Sequence, residues 1–144
     1  MKVNVMEKVL TKESKAKSNT VYRFEYGLPG FENLSEFEFQ DLDDFPPFKL
    51  FQSTEIPDIS MIVIDGSLLS IYQAIPFPKH EIINLKIEKS ESMRIFVILR
   101  IDEKSKHFLA NTKAPLVLNT HTGCGKQVIL DSPKLSEEYK LDQL

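Results

Sequence analysis

The sequence predicts a mainly β, single-domain protein: a small antiparallel β-barrel or sandwich with at most short helices. Three observations predict it. Apolar and polar residues alternate with a period of two over most of the chain, as they do in strands with two different faces. The alternating runs are short and separated by Pro, Gly, Asn and Asp turns, the pattern of sandwiches and barrels. A chain of 144 residues, 42% hydrophobic and 27% charged, has the size and composition of one globular core.

The elements follow in order. In TVYRFEY (20–26), Tyr22, Phe24 and Tyr26 fall on one face, with Arg23 and Glu25 on the other. GLPGF then turns the chain, because Gly27 and Gly30 can take positive φ and Pro29 fixes its own. SEFEFQ alternates again through Phe37 and Phe39. DLDDFPPFK is a loop with two prolines, and FKLFQS is a short apolar strand. TEIPDIS is a turn, and SMIVID is a buried, β-branched strand ended by Asp65-Gly66. Pro76 and Pro78 interrupt any helix in SLLSIYQAIPFPKHEIINLKIEKSES. EIINLKIE fits either a short amphipathic helix or a strand carrying Ile83, Leu85 and Ile87; a strand is the preferred reading. MRIFVILRI (93–101) is apolar on both faces and is expected at the centre of the sheet. DEKSKH closes a hairpin and FLAN opens the next strand. APLVLN and KQVIL form a last hairpin around a turn-rich Thr120–Lys126.

The β domain is expected over residues 1–130, with a mobile polar loop at 12–19 and a polar tail at 131–144, where Leu135, Tyr139 and Leu141 either dock or form a short helix. Ten phenylalanines and no tryptophan point to a core built on phenylalanine. One cysteine leaves no intramolecular disulfide and fits a reducing compartment. No apolar run has the length of a secretory h-region or of a membrane span, so a cytoplasmic protein with no membrane partner is expected.

Charge is unevenly spread. Residues 1–31 carry six basic and three acidic groups, a balance of +3. Residues 32–58 carry eight acids against Lys49 alone, a balance of −7. Such a block repels phosphates and attracts basic protein surface, so direct nucleic-acid binding is not expected there.

The stretch THTGCGK, with Cys124 three residues after His121, invites a chemical reading. As a phosphate loop it fails twice: Thr120 stands where the first Gly is needed, and Gln127 follows Lys126 in place of Ser or Thr. As a zinc site it offers two ligands where about four are needed. A Cys124/His121 nucleophilic pair would need an activated thiolate and a base at hydrogen-bonding distance, and no cysteine-hydrolase signature surrounds it. The plainer reading is a hairpin tip in which Gly123 and Gly125 let the backbone reverse. No catalytic or metal-binding residue and no cofactor is expected, although a small β-barrel enzyme using Cys124 and His121 stays open as an alternative.

Three blocks in series carry a resemblance: GLPGFENLSEFEF (27–39), PPFKLFQSTEIPDISMIVID (46–65) and NTKAPLVLNTHTGCGKQVIL (111–130). In this order and spacing they resemble the bacterial flagellar assembly factor family known as FliW. After Asp65 the chain departs from the family pattern, with GSLLSIYQAIPF in place of Asp-Pro and further aromatics. The resemblance implies a non-enzymatic protein that binds flagellin and also binds the RNA-binding translational regulator carbon storage regulator A. The free protein antagonises the regulator, and bound flagellin prevents this. A flagellin chaperone without the regulatory arm is the alternative within the family. Glu36, Glu38, Asp41, Asp43 and Asp44 are the candidate acidic surface for the basic regulator. Phe31, Asn111, Asn119 and Gln127, from the signature blocks, are further contact candidates.

Overall fold

The computed structural model describes residues 19–141; of the expected loop at 12–19, all but Asn19 lies outside them, and Asn19 begins the first strand. Among these residues nine strands form one sheet: β1 Asn19–Arg23, β2 Glu36–Asp41, β3 Phe48–Ser53, β4 Ser60–Asp65, β5 Met93–Ile101, β6 Phe108–Ala110, β7 Leu116–Asn119, β8 Cys124–Gln127 and β9 Tyr139–Lys140. The order β4-β3-β2-β1-β8-β7-β5 closes on itself because β5 also pairs with β4. The result is a seven-stranded barrel rather than a sandwich. A ring of strictly antiparallel neighbours needs an even number of strands, so one pair must run parallel. That pair is β1 and β8, joined in register at Arg23 and Cys124 and by the Arg23 amide donating to the Gly123 carbonyl at 2.8 Å.

Strand alternation builds two cores. The inward set is phenylalanine-rich: Phe24, Phe37, Phe39, Phe51 and Phe96, with Val63, Leu116 and Leu118. Phe37 and Phe51 stack at 4.6 Å between centroids, and Phe24 meets both rings edge-on. The outward set of β4, β5 and β7 (Ile62, Ile64, Val97, Leu99, Val117) forms the second core. It is covered by the segment after β4, through Leu69, Tyr72 and Leu85, and by Leu135 and Leu141 near the C-terminus. β5 is apolar on both faces because one lines the barrel and the other lies under this cover.

Several expectations are corrected. EIINLKIE is not a strand: Lys79–Asn84 is a short helix, and Ile83, which strand alternation would bury, is 71% exposed. Pro78 stands at its N-cap, where a missing N–H costs nothing, so this proline starts the helix instead of preventing it. Short 3-10 turns occupy Gly66–Leu68 and Ser70–Ala74. β1 ends at Arg23, and Tyr26, which strand alternation would place on one face with Tyr22 and Phe24, lies in the turn that follows and is 66% exposed. In the segment after Leu130, Leu135 and Leu141 dock and are buried, as their apolar side chains suggest, and β9 pairs with β6 in place of a short helix.

Candidate functional site

The hairpin that drew chemical attention is organised by Asn119. Its turn spans only 120–123, and Cys124 already lies in β8, opposite Asn119. Of the two glycines, Gly123 alone takes positive φ (78°). Gly125 is needed for room instead: a Cβ there would stand 2.7 Å from Leu118 Cδ2 and 2.8 Å from Phe24 Cζ. Asn119 Oδ1 accepts from the His121 and Thr122 amides, while its Nδ2 donates to the Leu85 carbonyl at 2.8 Å and to that of Lys86. With 1% exposure it ties the cover to the barrel and leaves almost no side-chain surface for a partner. Among the described residues no hydrogen bond joins the Cys124 thiol to the His121 imidazole. Nor do three or more His, Cys, Asp or Glu side chains group there as ligands for a metal ion.

The other signature candidates converge. Phe31, Asn111 and Gln127 line one recess of about 310 Å³ at an end of the barrel. All three sequence blocks contribute to it: Leu28 and Phe31 from the first, Met61 from the second, Asn111, Ala114 and Gln127 from the third. Gln127 Nε2 donates to the Ala114 carbonyl at 3.0 Å, locking two of these elements together. The Asn111 amide donates to the Ile98 carbonyl at 3.0 Å, whereas its side-chain Oδ1 is buried with no partner. Sequence reading missed Met61 and Ile98, which strand alternation does place on the inward face, and Ile129 on the rim. Glu137, also lining the recess, gave no signal in the sequence.

The acidic candidates do not form one patch. Glu36 and Glu38 lie on the outward face of β2, which among the described residues the second core does not reach. Glu38 accepts from Gln40 Nε2 at 2.6 Å, and Glu36 from Thr54 Oγ1 at 3.1 Å. Asp41 continues the inward side of β2 to its end and ion-pairs with Lys49. Asp43 and Asp44 are exposed in the loop beyond. Glu55, another acid of the block, is committed to the backbone: the Ser35 and Glu36 amides donate to it at 2.9 Å and hold its carboxyl below the usual range. Near another end of the strands, Arg94 lies 4.8 Å from the Phe96 centroid and ion-pairs with Asp65 at 2.8 Å. Burial pushes the Tyr22 hydroxyl up, opposed by the Arg94 charge.

These features define a class: a small closed β-barrel with one flank covered by its own chain and an apolar recess at one end. The FliW protein family matches residues 5–141. The chain is 33% identical over 132 residues to the flagellar assembly factor FliW of Thermosipho africanus, covering 91% of each. It is 37% identical over 115 residues to that of Caldanaerobacter subterraneus, covering 79% of this chain and 77% of that one. A crystal structure of the flagellar assembly factor FliW superposes with a TM-score of 0.74 at 30% identity, covering 86% of each chain. The chain belongs to the FliW family. Among the described residues no helix is long and apolar enough to cross a membrane.

Proposed function

We propose that this chain is a cytoplasmic flagellar assembly factor, not an enzyme, that binds flagellin and, when free, binds and antagonises carbon storage regulator A. The observation that carries the reading is the family match over nearly the whole chain, to relatives named flagellar assembly factors. In this scheme flagellin level sets how much of the chain is free, and free chain relieves repression of flagellin translation.

The uncovered flank supports the regulatory arm. Its outward carboxylates, Glu36 and Glu38, stand beside an apolar component in Val21, 44% exposed and opposite Glu38 in register, while Asp43 and Asp44 add separate exposed acidic positions in the loop beyond β2. An RNA-binding partner carries basic surface to match RNA phosphates, and carboxylates here steer that surface in while repelling competing phosphates. Asp41 is already paired with Lys49 and contributes less. Reversing Glu36, Glu38 and Asp43 to Lys is expected to slow association with the purified regulator by about tenfold and to flatten its salt dependence. Stopped-flow association across a salt series measures both. Unchanged rates sink the acidic-surface assignment, and a wild-type chain that binds neither flagellin nor the regulator sinks the whole reading.

A further inference from the structure

We infer that the recess at the barrel end is the docking site for an extended apolar segment of flagellin, held by an N–H donated to Asn111 Oδ1. The inference rests on the reading above that flagellin is a partner, and adds where it binds and by what chemistry.

The recess is walled by Leu28, Phe31, Met61 and Ile98, which ask for an aliphatic or aromatic side chain. Ile129 stands on its rim 66% exposed, so apolar surface continues beyond the recess. That suits a chain running across the rim better than a small molecule enclosed by the walls. Asn111 Oδ1 supplies the polar requirement. A buried acceptor without a partner is an unmet cost in the free protein, and the broad χ2 well of an amide lets it rotate toward an incoming donor. A backbone N–H of an extended segment is such a donor, as in other modes of peptide capture. Charge separates the two partners of the proposed function. Among the described residues Glu137 is the only charged side chain lining the recess, so the site disfavours an acidic segment, yet it lacks the acidic density that a strongly basic RNA-binding surface would select. The regulator is matched by the uncovered carboxylate flank, and the apolar recess falls to flagellin.

Two variants of the full chain test this, with purified flagellin as the probe in a binding titration. Ile129→Glu puts a charge on an exposed rim position and leaves the fold alone. Asn111→Leu keeps the volume and removes an acceptor that has no partner in the free chain, so its melting temperature is expected to equal or exceed that of the wild type. Both are expected to weaken flagellin binding by about tenfold. A variant that melts no lower yet binds worse marks a residue used for docking and not for folding. Wild-type affinity in either variant overturns the inference while leaving flagellin binding intact. A wild-type chain that fails to bind flagellin overturns the functional reading and this inference together.

Discussion

The two flanks of the barrel share an interior and differ in what they show outside. Under β4, β5 and β7, outward Ile62, Ile64, Val97, Leu99 and Val117 are buried by the chain's own helical segment and C-terminal residues. On β1 and β2 the outward positions are Val21, Arg23, Glu36 and Glu38, with Gln40 buried beside them by hydrogen bonds to Glu38 and Gln52, and the described second core does not extend over them. The difference teaches where the protein stores stability and where it keeps surface for others. A strand whose two faces are both apolar must be covered to be soluble, whereas one with alternating Phe and Glu is finished once its inner face is filled. Equal truncations on the two flanks should therefore have very unequal effects.

Ile64→Ala on the covered flank is expected to cost about 3 kcal/mol, since it empties space between barrel and cover. Val21→Ala on the uncovered flank should stay within about 0.5 kcal/mol. Urea unfolding of both variants measures the contrast, and similar midpoints would break it. A smaller effect isolates the attachment of the cover itself. Tyr72 donates its hydroxyl to the Thr112 carbonyl at 2.6 Å, and Thr112 shares three hydrogen bonds with Ser136: its amide and its hydroxyl donate to the Ser136 carbonyl, and its hydroxyl oxygen accepts from the Ser136 amide. One residue thus holds both the helical segment and the C-terminal one against the sheet. Tyr72→Phe leaves the Thr112 carbonyl buried and short of a donor, for a loss of about 2 kcal/mol. Hydrogen exchange of amides in 66–92 should rise more than that of β2, and equal increases would mean that the cover does not open separately from the barrel.

Sequence pattern alone revealed the barrel's walls more fully than its cover. Strand alternation is a local signal, so β2 through β5 could be read almost to their ends. Pro78 and the Ile83–Ile87 run were misread because a short apolar run fits both periods, and the choice was settled by packing over β5 and β7, not by propensity. β9 is only two residues long, and its strand character comes from pairing with β6, which no local pattern encodes. The site was legible in pieces. Phe31, Asn111 and Gln127 were picked out singly, but their meeting in one recess depends on strand order, which links residues far apart in the chain. Asn119 came from the same signature block and points the other way, because it falls on the outward side of β7 where Asn111 lies at the barrel end. A motif gives residue types; register decides which of them share a surface.

The smallest effect sits where the covered flank begins. Asp65 ends β4 on its inward side, accepts from the Ser67 amide at 2.9 Å as the chain turns into the cover, and gives its other oxygen to Arg94. Burial opposes its ionisation, but the Ser67 amide and the Arg94 guanidinium outweigh that and hold its carboxyl below the ordinary value. A carboxyl depressed on folding stabilises the folded state fully above its unfolded value of about 3.9, and the contribution is lost as pH falls through the lower folded one. Asn at this position keeps an acceptor for Ser67 and loses only the charge. Because both side chains of the pair are partly exposed, solvent screens it, and Asp65→Asn is expected to cost about 0.5 kcal/mol at pH 7. The gap should narrow as pH drops below about 4 and shrink in high salt. Urea midpoints of wild type and variant between pH 7 and pH 3 test this: a gap that stays constant would mean that Asp65 acts by shape, as a cap for the cover, and not by its charge on Arg94.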